Sequence, residues 1–108
     1  MHPVAGPVSR AADIGTGGGF PLLPMALLWP QTQWIGIESV GKKANFVAET
    51  SEELGLTNVE VWPARAEDVG RSSERGTFEL ATFRAVGPVA SLLEVSIPLL
   101  KIGGRIYM

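Results

Sequence analysis

Residues 12–21 read ADIGTGGGFP, with four glycines in five positions shortly after the acidic Asp13. The four are Gly15, Gly17, Gly18 and Gly19. Glycine has no Cβ and adopts positive φ freely, so this run can turn sharply and let a ligand lie against backbone N–H groups. A turn that only packs a helix on a sheet needs fewer glycines. The stretch therefore predicts a ligand-binding loop between a strand and a helix.

The composition indicates one globular domain. Of 108 residues, 45% are hydrophobic and 19% are charged, which is enough apolar material for a single core. The chain has no cysteine, which excludes a disulfide framework and a thiol nucleophile, and we expect a cytoplasmic protein. The only histidine, His2, lies near the start, and we predict no metal site. A net charge of −2 argues against nucleic-acid binding across the whole surface but leaves a local basic rim open.

Residues 1–9 form a leader rich in proline and glycine that we expect to be flexible, ahead of a domain over residues 10–108. Residues 14–37 carry no charge, as a membrane span of ~20 apolar residues would. Glycines and prolines interrupt this stretch and leave FPLLPMALLW, which is too short to cross a bilayer. The pattern predicts a buried helix with proline in its first turn, and no membrane association.

Short apolar runs alternate with helical patterns along the chain. We predict five strands from these runs, over residues 11–15, 33–38, 58–63, 78–86 and 104–108. The second helix follows Glu38, ends at Gly55 and buries one stripe. That stripe contains Val40, Ala44, Val47, Ser51 and Leu54. The alternation predicts βαβ units in an α/β fold, with a parallel sheet that helices cover on both faces.

Acidic residues close three successive strands. They are Asp13, Glu38 and the pair Glu67 and Asp68. Ligands of such sheets bind outside the carboxyl ends of the strands. The Glu38 carboxylate can accept hydrogen bonds from ribose hydroxyls, and an acid that caps the next helix is the alternative. With an ammonium group near Asp13, and adenine beside Ala66 and Glu67 or Asp68, the three positions describe S-adenosylmethionine.

A dinucleotide-binding oxidoreductase is a less favoured alternative. Its fingerprint, GxGxxG, needs a third glycine where this chain has Phe20. Asp13 would also repel a pyrophosphate bound at the same loop. We therefore favour S-adenosylmethionine over a nicotinamide cofactor.

The strings DIGTGGGFP, IESVGKKANFV, ARAED and FRAV together resemble the bacterial RsmG (GidB) family, over nearly the whole chain from Ala12 onward. Members of that family are S-adenosylmethionine-dependent methyltransferases that modify N7 of a guanine in 16S ribosomal RNA. The resemblance implies a Rossmann-like class I methyltransferase fold with a parallel sheet of order 3-2-1-4-5, this cofactor and this reaction. It also implies 16S ribosomal RNA or the small ribosomal subunit as the partner.

The resemblance implies cofactor contacts at Gly15, Phe20, Ala66, Glu67 and Arg84, with Asp13, Gly17, Glu38 and Ser39 beside them. Arg84 closes the fourth strand and is our candidate catalytic residue, because it would reach the rim where cofactor and RNA meet. It could bind the cofactor carboxylate, hold an RNA phosphate or orient the guanine, and an ion pair with Asp13 or Glu38 is the alternative. We predict RNA contacts at Lys42, Lys43 and Arg65, against the alternative of a solvated helix start.

Two departures from the family pattern matter. Leu22 stands where family members usually have a glycine after GFP. Family proteins are also longer, with helices before the first strand and a helix and hairpin strands after the fifth. We therefore expect a partial domain whose fifth strand leaves an exposed edge, with Ile106 and Tyr107, open to self-association. A folded fragment that binds the cofactor weakly or not at all is a further alternative.

Overall fold

A five-stranded parallel sheet forms the centre of the protein. The computed structural model describes residues 8–17, 19, 21–83 and 88–107. The strands are β1 Arg10–Ile14, β2 Gln33–Ile37, β3 Val59–Trp62, β4 Phe78–Phe83 and β5 Leu100–Tyr107. Their order is β3-β2-β1-β4-β5, and each neighbouring pair is parallel. The predicted Rossmann-like sheet order is confirmed.

Helices cover both faces of this sheet. They are α1 Leu22–Leu28, α2 Gly41–Glu53, α3 Ala66–Val69 and α4 Val89–Ser96, the last continued by a 3₁₀ turn at Ile97–Leu99. One apolar cluster packs α1 and α2 on the sheet, and a second packs α3, α4 and the 3₁₀ turn on the opposite face. Successive residues of β1 serve both clusters, since Ala11 belongs to the first and Ala12 to the second. Helix α3 is absent from the predicted elements.

The buried stripe of α2 is shorter than the sequence pattern predicts. Ala44, Val47 and Ser51 are buried, whereas Val40 and Leu54 are exposed. Val40 and Leu54 are the residues that flank the helix at its N-terminal and C-terminal ends. Gly55 follows with φ +70°, which confirms the predicted end of the helix.

The fifth strand begins at Leu100 rather than at Gly104. Its pairing with β4 is irregular, because Phe78 lies opposite Leu100 while Leu80 lies opposite Arg105. The intervening residues of β5 form a bulge in which Gly103 has φ +84°. A prediction based on apolar runs misses the first half of the strand because glycine and lysine interrupt the apolar run there.

Several sequence predictions fall on residues outside the described ranges. They concern leader residues 1–7, residues 84–86 of the fourth predicted strand, and Met108. At the described end of the leader, Val8 packs against the first apolar cluster, and the Ser9 N–H donates a hydrogen bond to Glu79 Oε1 at 2.6 Å. No helix within the described ranges has the length and apolar character needed to cross a membrane.

Candidate functional site

A cavity of about 330 Å³ opens where β1, β2 and β3 end. Five of the residues that line it are predicted site residues: Gly15, Ser39, Arg65, Ala66 and Glu67. They follow the ends of three different strands, so the parallel sheet brings together positions that are far apart in the sequence. The cavity is the candidate functional site.

The glycine run makes the sharp turn that the sequence predicts. The φ angle is +65° at Gly15, +55° at Gly17 and +90° at Gly19. The Gly15 N–H donates to the Ile37 carbonyl at 2.8 Å, and the Gly19 N–H donates to the Thr16 carbonyl at 2.8 Å. A Cβ built on Gly15 would meet nothing within 4 Å, so the space beside this glycine is open to a ligand.

The Glu38 carboxylate connects the glycine loop to the start of α2. Its Oε1 accepts the Gly17 N–H at 2.8 Å, and its Oε2 accepts the Val40 N–H at 3.0 Å. The second bond corresponds to the capping alternative, because Val40 is the residue that precedes the first turn of α2. A carboxylate oxygen has two lone pairs, so both oxygens keep acceptor capacity for ribose hydroxyls.

Asp13 lies at the carboxyl end of β1, as predicted, but outside the lining of the cavity. Its side chain is buried, with 1% of the residue exposed. The Thr82 hydroxyl, from the adjacent position on β4, donates a hydrogen bond to Asp13 Oδ1 at 2.8 Å. The acid is therefore held within the sheet layer next to the site rather than on the cavity wall.

Glu67 and Asp68, which the sequence left as alternatives, point to different places. Glu67 lines the candidate site, whereas Asp68 lines a separate surface hollow with Trp62. A hydrogen bond from its own backbone N–H holds the pKa of Glu67 below its usual value of 4.5, and the neighbouring Arg65 lowers this pKa further. Arg65 Nη2 lies 3.4 Å from Glu67 Oε2. A charged Glu67 carboxylate is thus available at neutral pH.

The predicted RNA-contacting residues lie around the same end of the sheet. Lys42 and Lys43 are exposed in the first turn of α2, directly after the strand end that carries Glu38. Arg65 is exposed on the rim of the cavity. The exposed side chains of Lys42 and Lys43 can reach an anionic surface that approaches this rim, and Arg65 can do so beside its contact with Glu67.

Helix α4 contributes a wall of the cavity that the sequence analysis missed. Ser91, Leu92 and Val95 line the cavity together with Ala66. The handedness of the crossover between β4 and β5 is a signal that could have found them, since right-handed connections place α4 on the same face as α3. The apolar lining, completed by Ile14, Ile37 and Ala64, fits a flat purine, and Ser39 and Glu67 supply polar groups at its edge.

Other predicted residues fall outside this description. Phe20 and Arg84 are not among the described residues, so their roles remain predictions. Within the described ranges, no group of three or more His, Cys, Asp or Glu side chains could hold a metal ion.

The sheet order, the glycine loop after β1 and the cavity at the strand ends define a Rossmann-like fold of the class I methyltransferase type. A solved S-adenosylmethionine-dependent methyltransferase from Aquifex aeolicus shares this fold with a TM-score of 0.69 and 22% sequence identity. The match covers 86% of this chain and 51% of that protein.

Sequence relatives narrow the class to a family. Residues 3–108 match the family described as rRNA small subunit methyltransferase G. The chain is 45% identical over 96 residues to ribosomal RNA small subunit methyltransferase G of Deinococcus radiodurans, and 45% identical over 98 residues to that of Streptococcus pyogenes serotype M49. This chain therefore belongs to the rRNA small subunit methyltransferase G family. The matches cover 88% and 90% of the chain but only 38% and 41% of the two relatives.

Proposed function

We propose that this chain binds S-adenosylmethionine and is the cofactor-binding portion of a methyltransferase acting on N7 of a guanine in 16S ribosomal RNA. The observation that carries the proposal is the cavity at the ends of β1, β2 and β3, which gathers Gly15, Ser39, Ala66 and Glu67 around an apolar interior. Family membership supports the same substrate class.

The residues present fit the chemistry of the cofactor. The apolar lining suits adenine, and the Glu67 carboxylate can accept a hydrogen bond from its amino group. Ser39 and the remaining lone pairs of Glu38 suit the ribose hydroxyls. The open space beside Gly15 and the buried carboxylate of Asp13 suit the amino-acid portion and its ammonium charge.

The reaction requires the protein to position the two reactants and does not require it to transfer a proton. The cofactor, when bound, supplies a methyl group activated by a sulfonium, and guanine N7 already has a free lone pair. No general base is needed, and correct placement of two reactants can supply about 7–11 kcal/mol. Arg84, our candidate catalytic residue, would orient the guanine or bind a carboxylate or phosphate near it. The glycine loop and the Glu38 bridge fix the cofactor side of this arrangement.

A basic rim would hold the RNA. Lys42, Lys43 and Arg65 surround the cavity end of the sheet, and contacts to phosphates would position the RNA without reading its sequence. The small ribosomal subunit is then the natural partner, and a cytoplasmic location follows from that partner. Self-association through the edge of β5 is a separate part of the proposal.

Calorimetric titration with S-adenosylhomocysteine, the demethylated product, tests the cofactor assignment. We expect saturable binding by the wild-type chain and affinity about tenfold lower for Glu67→Gln, which removes the charged acceptor. Asp68→Asn is the matched control, since Asp68 neighbours Glu67 in the sequence but lines a different hollow. It should bind S-adenosylhomocysteine like the wild type.

Two results would overturn the assignment. A chain that is folded by circular dichroism but does not bind S-adenosylhomocysteine has the fold without a working site. Binding of NADH instead of S-adenosylhomocysteine would favour the alternative of a dinucleotide-binding oxidoreductase. Given binding, transfer of a radiolabelled methyl group to 16S ribosomal RNA tests the reaction itself.

A further inference from the structure

Thr82 and Asp13 form a buried polar pair beside the candidate site. They occupy paired positions on the adjacent strands β4 and β1. The Thr82 Oγ1 donates to Asp13 Oδ1 at 2.8 Å, and only 4% of Thr82 is exposed. Nothing in the reaction, and none of the predicted site residues, accounts for this threonine.

The bond is suited to fixing the orientation of a carboxylate. A β-branched threonine side chain is stiff at χ1, so its hydroxyl occupies a defined place in the sheet layer. A hydrogen bond to a carboxylate is stronger than one between neutral groups. The bond therefore constrains the rotation of the Asp13 carboxylate relative to the glycine loop, which begins two residues later.

An ionised carboxylate at this position would act on a nearby cation through its charge. Because Asp13 is almost fully buried, its field is screened less than that of an exposed acid. The strength of this attraction depends on the position of the Asp13 carboxylate. The Thr82 hydroxyl, which is bonded to that carboxylate, therefore contributes to the site.

We propose that Thr82 is a positioning residue for the ammonium end of the cofactor, acting through Asp13. This rests on the proposed function, because the ammonium group belongs to the proposed cofactor. The consequence is selective: loss of the Thr82 hydroxyl weakens ligands that contain the amino-acid portion and spares ligands that lack it.

Two ligands and three variants test the proposal. S-adenosylhomocysteine contains the amino-acid portion, and 5′-methylthioadenosine lacks it. Thr82→Val removes the hydroxyl but keeps the shape, and Thr82→Ser restores a hydroxyl. Thr32→Val is the matched control, because Thr32 is also buried and its hydroxyl also donates one hydrogen bond, to the Val8 carbonyl, at the opposite end of the sheet.

We expect Thr82→Val to bind S-adenosylhomocysteine about tenfold more weakly and 5′-methylthioadenosine within about twofold of the wild type. Thr82→Ser should recover most of the affinity, and Thr32→Val should leave both affinities unchanged even where it lowers the melting temperature. If Thr82→Val does not fold, Thr82→Ser carries the test, with a loss of about threefold confined to S-adenosylhomocysteine because serine holds its hydroxyl less firmly.

The outcomes separate the two proposals. A wild-type chain that does not bind S-adenosylhomocysteine overturns the proposed function and this inference together. Binding by the wild type, with equal losses for both ligands or no loss in the Thr82 variants, overturns the inference alone.

Discussion

At the scale of single residues, Thr16 is a position in the glycine loop that lowers the stability of the fold. The residue is fully buried, and its hydroxyl has no hydrogen-bond partner in the part of the chain that the structure describes. A buried polar group without a partner costs about 1–3 kcal/mol. We expect Thr16→Val, which keeps the shape and removes the hydroxyl, to raise the free energy of unfolding by about 1 kcal/mol. Thermal unfolding should show a midpoint about 4–8 °C higher.

Thr32→Val is the matched comparison for this prediction. Thr32 is also fully buried, but its hydroxyl donates to the Val8 carbonyl, so the same substitution removes a bond that is made. It should lower the free energy of unfolding by about 1 kcal/mol. Equal losses in both variants would show that the Thr16 hydroxyl has a stabilising partner in solution.

Glu67 gives the fold a dependence on acid pH. Its own backbone N–H and then Arg65 hold the pKa of Glu67 below 4.5, so the charged form is favoured in the folded state. The stability this adds is present above the unfolded pKa and is lost as the pH falls through the folded pKa. Because the side chain is more than a third exposed, we expect only about 0.5 kcal/mol at neutral pH.

Chemical denaturation of the wild type and Glu67→Gln between pH 7 and pH 2 checks this sign. The difference in free energy of unfolding should be constant at neutral pH and disappear as the pH falls through the folded-state pKa of Glu67, which lies below 4.5. A difference that stays the same down to pH 2 would mean that the substitution weakens the fold through altered packing and not through the lost charge.

At the scale of elements, the charges of α2 are arranged against its dipole. Lys42 and Lys43 lie in the first turn and Glu52 and Glu53 in the last, the reverse of what stabilises a helix. Such a reversal is typical of a place where function limits stability. We expect the double variant Lys42→Gln with Lys43→Gln to raise the free energy of unfolding by about 0.5 kcal/mol. The same change should weaken binding to a labelled fragment of 16S ribosomal RNA.

The acidic end of α2 supplies the control. Glu52→Gln with Glu53→Gln removes the same kind of unfavourable interaction with the dipole and should stabilise the helix by a similar amount. It should leave RNA binding unchanged or slightly stronger. Fluorescence anisotropy across a salt series adds a second readout, since loss of two phosphate contacts reduces the salt dependence of log K by about 1.5. Unchanged RNA binding in the lysine variant would remove both lysines from the interface.

At the scale of the whole molecule, sequence reasoning was reliable where the signal is local or repeats along the chain. Alternating apolar runs predicted the five parallel strands, the family resemblance supplied their order, and the glycine run predicted the turns at Gly15 and Gly17. Contacts between residues far apart in the sequence could not be predicted in this way. The wall formed by Leu92 depends on how α4 crosses the sheet, and the bond between Thr82 and Asp13 joins residues 69 positions apart. No local pattern contains such a pairing.

The two outer strands of the sheet predict where copies of this chain would associate. β3 is four residues long and carries the exposed Glu60, whereas β5 is eight residues long. Ile102, in the bulge of β5, is fully exposed at 107% of its reference area, more so than the residues Ile106 and Tyr107 that the sequence singled out. An apolar side chain on a long outer strand favours pairing between copies. We therefore expect sedimentation velocity to show self-association that rises with protein concentration.

A single charge on that strand tests which edge is used. Ile102→Lys places an ammonium group on β5 and should weaken the association about tenfold without changing the melting temperature, because Ile102 makes no buried contacts. The matched change on the other edge, Glu60→Lys on β3, keeps a charge there and should leave the association unchanged. If Glu60→Lys weakens it and Ile102→Lys does not, the copies pair through β3; if neither variant does, the contact lies away from both outer strands.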